Sequence, residues 1–177
     1  MAEPPVSHRE WSEHIYRAFT ASNIRQVAYV PDAGHKWLIE LCHADEGLDT
    51  ISLTTEEEGI AMLAGGWLGG VRGVLLMQSS GVGNCVNMLS LVHECRFPLL
   101  MIVTMRGEWG ETNPWQVPMG QSTPVVLAHA GVVVHRVDEA QHVSATVAAA
   151  AQFAFASSRP VAVLIGQRLI GAKQFEQ

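Results

Sequence analysis

Glu57 opens a run of small and apolar residues, Glu57-Glu58-Gly59-Ile60-Ala61-Met62-Leu63-Ala64-Gly65-Gly66-Trp67, in which a Gly-aromatic pair begins nine positions after the acid. A carboxyl shielded by apolar neighbours such as Ile60, Ala61, Met62 and Leu63 keeps its proton to higher pH, which suits it to proton exchange with a ligand. Helix capping explains the same acids, because Thr54-x-x-Glu57 and Thr55-x-x-Glu58 are both capping boxes. With Thr55 as the N-cap, Glu58 closes the box and Glu57 is left to face a ligand. His35 and Lys36 could equally bind an anion or lie in a solvated loop. The stretch Met77-Gln78-Ser79-Ser80-Gly81-Val82-Gly83-Asn84 brings amide and hydroxyl side chains to a Gly-x-Gly-Asn turn. Arg106, beside Gly107, could hold a carboxylate, sulfonate or phosphonate through paired N–H groups, or pair instead with Glu108 or Glu111.

The elements that position these residues follow from apolar periodicity. Strands are expected at 26–30, 49–53, 73–77, 98–105, 132–137 and 161–165, and helices at 10–23, 36–42, 56–68, 84–94, 122–130 and 139–157. Runs such as Val74-Leu75-Leu76-Met77 and Leu99-Leu100-Met101-Ile102-Val103 are apolar on both faces, as in a parallel sheet covered on both sides. Strand and helix alternate throughout, so the chain is built of βαβ units. Residues 106–121, with two Pro, three Gly, Trp109 and Trp115, form the one long irregular segment and are expected to be ordered and functional. Ligands of such sheets collect at the carboxyl ends of the strands. There the sequence places Pro31-Asp32, Glu57, Gln78-Ser79-Ser80-Gly81 and Arg106-Gly107-Glu108, so four segments meet on one edge.

Composition bounds the rest. A chain of 177 residues suits one domain, expected to span 1–177 with residues 1–8 flexible. A net charge of −6 without any Lys/Arg cluster argues against a nucleic-acid partner. No apolar run is long enough to span a membrane, and the first residues lack the pattern of a secretory signal. Cys42, Cys85 and Cys95 form no CxxC pair and are expected to be reduced and at least partly buried, which predicts a cytoplasmic protein. His93, near Glu94 and Cys95, is expected to be structural. His8, His14, His43, His129, His135 and His142 lack metal-ligand spacing.

The Glu57 run and the Gln78–Asn84 stretch together resemble the pyrimidine-binding (Pyr) half of a thiamine diphosphate enzyme. Within that superfamily, Val30-Pro31-Asp32, Met77–Asn84 and Arg106-Gly107-Glu108-Trp109-Gly110-Glu111 with Asn113-Pro114-Trp115-Gln116-Val117-Pro118-Met119-Gly120 are similar to the sulfopyruvate and phosphonopyruvate decarboxylases, in their α subunit or N-terminal domain. The resemblance runs from about residue 10 to 170. It implies a three-layer α/β/α fold with a mostly parallel six-stranded sheet. It also implies that Glu57 touches the aminopyrimidine ring of thiamine diphosphate, with Pro31, Gln78, Ser79, Gly81, Gly83 and Asn84 lining the cofactor. By the same resemblance Asp32 and His35 serve proton transfer, Gln78 and Arg106 serve the substrate, and the glycine-rich helix after Glu57 meets a second subunit.

The superfamily's Gly-Asp-Gly motif, which with a downstream asparagine holds diphosphate through Mg²⁺, is absent from the sequence. No metal ligand is therefore expected here. A separate β subunit would bring Mg²⁺ and the diphosphate site, in a hetero-oligomer acting on a small anionic 2-oxo acid. Many relatives carry Ser or Asp where this chain has Ala33, which leaves the proton donor open between Asp32 and His35. A carboligase of the acetolactate synthase kind and a non-catalytic ligand-binding module are the alternatives.

Overall fold

The computed structural model describes residues 8–171. The flexible segment expected at 1–8 lies outside them except for His8. The strands are β1 (Ile24–Tyr29), β2 (Asp49–Ser52), β3 (Arg72–Gln78), β4 (Leu99–Thr104), β5 (Val133–Val137) and β6 (Pro160–Ile165). They form one sheet in the order β2-β1-β3-β4-β6-β5, and every neighbouring pair is parallel. β4 and β6 are buried along their whole length, because helices cover both faces of the sheet.

Side-chain alternation sorts the core into two layers. Val74, Leu76, Leu100, Ile102, Val161 and Val163 point to one face, where α1 (His8–Ala21), α2 (Lys36–His43) and α7 (Ala140–Ser157) cover them with Trp11, Phe19, Leu38, Val143 and Val147. Leu75, Met77, Met101, Val103, Ala162 and Leu164 point to the other. That face is covered by α3 (Glu56–Leu68), α4 (Ser79–Cys85), α5 (Leu89–Cys95) and α6 (Val117–His129), through Ile60, Leu63, Val82, Leu89 and Leu127. Burying a leucine or valine in either layer contributes about 1.5–3 kcal/mol.

The chain leaves β1 toward β2 on one side and returns to β3 on the other, so the carboxyl ends of β1 and β3 border the topological switch point. Among the described residues no helix is long and apolar enough to cross a membrane. Cys42 and Cys85 are free and buried, and burial pushes both thiols up to about 12. Cys95, also free, is exposed, contrary to the expectation for all three.

Two elements depart from the sequence expectation. The Gly-x-Gly-Asn stretch is no turn: Ser79–Cys85 is helical, and the single helix expected at 84–94 is replaced by α4 and α5. Glycine disfavours a helix by about 1 kcal/mol, but the packing of α4 against α3 and α6 outweighs that local preference. The irregular segment is also shorter than expected. Pro114–Gln116 forms a 3-10 turn and α6 starts at Val117, with Pro118 in its first turn, where a missing N–H costs nothing.

Candidate active site

The carboxylate of Glu57 projects from the first turn of α3. Thr55 is the N-cap, and the Glu58 carboxylate reaches back to the backbone N–H of Thr54 (3.0 Å) and Thr55 (3.4 Å), closing the capping box. Glu57 is thereby released from capping, and the hydroxyl of Thr55 donates to it. That bond holds the Glu57 carboxyl below its usual range. The apolar shielding expected from its helix neighbours is not provided by this chain alone, because Ile60 and Leu63 turn inward to the core. The outward residues are Ala61, Gly65 and Leu68, at helical spacing along from Glu57, and Leu68 is 87% exposed.

Across the switch point, Gln78 at the end of β3 donates from Nε2 to Asp32 Oδ1 beyond β1 (2.9 Å), and its Oε1 accepts from Ser80 Oγ (3.0 Å). The other Asp32 oxygen accepts from the Thr104 hydroxyl at the end of β4. Three strand ends are thus tied by one carboxylate. Pro31 and Ala33 on either side of Asp32 are exposed on this edge, as is Lys36.

His35 does not face solvent. It is fully buried, and its Nε2–H is shared between the carbonyls of Met77 (3.3 Å) and Ile102 (3.1 Å), so the neutral imidazole carries its proton on Nε2. Nδ1 has no partner. Burial holds the imidazole pKa below its usual value, with the Asp32 charge opposing. Unfolding frees the group to protonate at its ordinary pKa, so His35 supports the fold above about pH 6.5 and that support is lost as pH falls further. The melting temperature should therefore decline between about pH 6.5 and 5, and the His35→Gln variant should lack that part of the slope. An identical slope in the variant would assign it elsewhere.

Gly81 and Asn84 act on a residue the motifs did not single out. A Cβ on Gly81 would overlap the Glu56 carboxyl, and Asn84 Nδ2 donates to Glu56 Oε2 (2.8 Å). Buried Glu56 therefore joins α3 to α4 immediately beside Glu57. Gly83 and Asn84 are exposed, and Asn84 Oδ1 makes no hydrogen bond among the described residues. Ser79 is buried: its hydroxyl accepts from the Arg106 N–H (3.1 Å) and its carbonyl from Thr123 (3.3 Å).

Arg106 is paired with Glu111. Its Nε and Nη2 donate to the two carboxylate oxygens at 2.7 and 2.6 Å, and the two side chains are only 12% and 5% exposed. The guanidinium, with the Asn113, Gly107 and Gln167 donors, holds the Glu111 carboxyl far below the usual carboxylate range. Glu108 pairs elsewhere, with Arg136. Gln167 could have been found from sequence: it follows β6 directly after Gly166, the same strand-end position that singled out Gln78 and Arg106. Thr104, the polar last residue of an apolar strand, carried the same signal.

The donor set suits the aminopyrimidine half of thiamine diphosphate. Glu57 is a carboxylate with lone pairs to spare and, among the described residues, no cationic partner, with the exposed Asn84 nearby on α4. Among the described residues no three His, Cys, Asp or Glu side chains converge on a metal-sized site.

The thiamine pyrophosphate enzyme, N-terminal TPP binding domain family matches residues 9–121. The sulfopyruvate decarboxylase subunit alpha of Methanococcus maripaludis is 40% identical over 117 residues, 66% of this chain and 70% of that protein. Its counterpart in Methanocaldococcus jannaschii is 33% identical over 151 residues, 85% of this chain and 89% of that one. Among solved structures, 2-oxoglutarate:ferredoxin oxidoreductase from Magnetococcus marinus superposes with a TM-score of 0.72, over 90% of this chain and 29% of that one. At 17% identity this last likeness shows the fold alone. The chain belongs to the thiamine pyrophosphate enzymes, as an N-terminal TPP-binding domain related to the α subunits of sulfopyruvate decarboxylase.

Proposed function

We propose that this chain is the α subunit of a thiamine diphosphate-dependent 2-oxo acid decarboxylase whose substrate is a small acid with a second anionic group, as in sulfopyruvate. The observation that carries the reading is Glu57: a carboxylate freed from capping by Glu58, without a cation among the described residues, at the carboxyl edge of the sheet. The similarity to sulfopyruvate decarboxylase α subunits over most of both chains supports it. When bound, thiamine diphosphate supplies the electron sink that lets a 2-oxo acid lose CO₂.

Every other contribution comes from the protein. Glu57 exchanges a proton with the pyrimidine ring nitrogen N1'. Pro31, Gln78, Ser79, Gly81, Gly83 and Asn84 form the wall beside the ring, with Gly81 and Asn84 acting through Glu56 and Ser79 through the Arg106 backbone. Asp32 is the proton-transfer residue of this edge. His35 shapes it from below through two strand carbonyls, a positioning role that its burial favours over proton shuttling. Gln78 and the uncommitted N–H groups of Arg106 meet the substrate.

A partner β subunit supplies the Mg²⁺ and diphosphate site. The outward stripe Ala61, Gly65, Leu68, with Gly69 and Gly70, is its landing face. It carries no charge, and a Cβ on Gly65 or Gly70 would meet nothing within 4 Å among the described residues. Gly59 and Gly66, by contrast, face the chain itself, where a Cβ would press on Leu75 with Leu53 and on the Gln26 side chain. Covering Glu57 with the partner's surface removes water and raises its proton affinity to the range the reaction needs. The unpaired thiols Cys42 and Cys85 suit an enzyme of the cytoplasm.

The test is co-expression with a thiamine-type β chain carrying Gly-Asp-Gly, followed by calorimetry with thiamine diphosphate and Mg²⁺. Binding by the complex and not by this chain alone is the expected result. Absence of binding by both would overturn the proposed function.

A further inference from the structure

Residues 106–113 follow an irregular path, yet their polar groups are tied down from several strand ends at once. The hub is Gln167, the first residue of α8 (Gln167–Ile170), which is fully buried. Its Oε1 accepts from the backbone N–H of Glu108 (2.8 Å) and of Trp109 (3.0 Å). Its Nε2 donates to Glu111 Oε2 (3.0 Å), and its own backbone N–H donates to Glu108 Oε2 (3.3 Å). The neighbours fix which way the amide points: two N–H donors require the oxygen, and a carboxylate requires the nitrogen.

The network continues on both sides. Arg136 grips Glu108 through Nη1 (2.5 Å) and Nη2 (2.9 Å), and Asp138 grips Arg136 through two bonds of 2.8 Å. Toward the switch point, Glu111 accepts from Arg106 and from the backbone N–H groups of Gly107 (3.1 Å) and Asn113 (3.0 Å). Five donors on one carboxylate leave it little freedom. Its pair consumes the Nε edge of the Arg106 guanidinium. The end-on edge, Nη1 with the second Nη2 proton, makes no hydrogen bond among the described residues.

We propose that Gln167 is a positioning residue for substrate selection: by anchoring Glu111 and the 108–109 backbone, it keeps the Arg106 end-on edge free and fixed for the substrate's distal anion. This rests on the reading that Arg106 meets that anion. An arginine released from such a clamp spreads over many rotamers, and two-pronged binding of a sulfonate or phosphonate requires one orientation. Because Gln167 touches no reacting atom, its loss weakens substrate binding and leaves the chemical step alone.

Two variants of the full chain, assembled with its partner subunit, test this. Gln167→Met keeps the bulk and removes every side-chain hydrogen bond. Gln167→Glu keeps an acceptor for the two amides but sets a second carboxylate against Glu111. In Gln167→Met, hydrogen exchange at the Glu108 and Trp109 amides should quicken by about tenfold or more, and the Arg106 Nε–H resonance should move. KM for sulfopyruvate should rise about tenfold, with kcat within about twofold of wild type. In Gln167→Glu the amides should stay protected while KM rises; this variant decides the matter if Gln167→Met does not fold. Wild-type exchange and an unmoved Arg106 resonance in Gln167→Met overturn the proposal, as does a released loop with unchanged KM. Exchange and the resonance are read without substrate. If they change as expected while the wild-type complex decarboxylates nothing, the proposed function fails and the hub stands.

Discussion

Replacing Glu57 with Gln is expected to lower turnover of the assembled enzyme by about 10²–10⁴-fold, the range a positioned acid–base group contributes. The fold should survive. Glutamine keeps the shape and an oxygen to accept from Thr55, the capping box uses Glu58, and surface changes of this kind stay within about 0.5 kcal/mol. What the substitution removes is the ability to exchange a proton with the pyrimidine nitrogen. The measurement is CO₂ release by the complex, beside a urea titration of the variant chain. Near-normal turnover in a folded variant would remove Glu57 from the chemistry. Poor turnover with a large loss of stability would make the capping explanation sufficient. Glu58→Ala provides the contrast, because it removes the side-chain oxygen that accepts from the Thr54 and Thr55 N–H groups and leaves Glu57 in place. It should lower stability by about 1 kcal/mol, with turnover near wild type once folded.

The second large effect concerns stability. Glu111→Ala should cost about 3–5 kcal/mol, because it strands the mostly buried Arg106 guanidinium without its counter-charge. It also leaves the Gly107 and Asn113 N–H groups and the Gln167 amide without their acceptor. The pH dependence has a definite sign. The folded carboxyl is held far below its ordinary value of 4.5, so its contribution is complete above that value and is lost progressively as pH falls below it. Urea titrations at neutral pH and at about pH 3 should show wild type losing a component that Glu111→Gln never had. Equal acid losses in the two proteins would mean that the pair contributes little and that the loop is held by Arg136 and Gln167 instead.

Much of this protein was legible in its sequence, for identifiable reasons. Apolar runs such as Leu99–Val103 fit strands covered on both faces, and their alternation with helical patterns gives the six strands and the α/β class. Thr55 and Glu58 fix the start of α3 by local hydrogen bonding, which places Glu57 in the first turn without reference to the rest of the molecule. Strand-end position brought Asp32, Gln78 and Arg106 to one edge, a consequence of all strands running parallel.

Tertiary structure decided what depends on partners distant in sequence. Gly81 and Gly83 read locally as a turn, yet contacts with Glu56 and Met119 make that stretch a helix, because packing between helices exceeds a propensity of about 1 kcal/mol per glycine. His35 has the composition of a solvated loop around it, and only the approach of β3 and β4 buries it against two carbonyls. The choice of Arg106 partner was open between Glu108 and Glu111 until Gln167, 56 positions beyond Glu111, held one carboxylate and Arg136 took the other. Local patterns fix elements and their order, since helix periods, caps and strand runs are short-range. Which polar group meets which across the sheet edge is set by long-range closure, and no short window of sequence contains it.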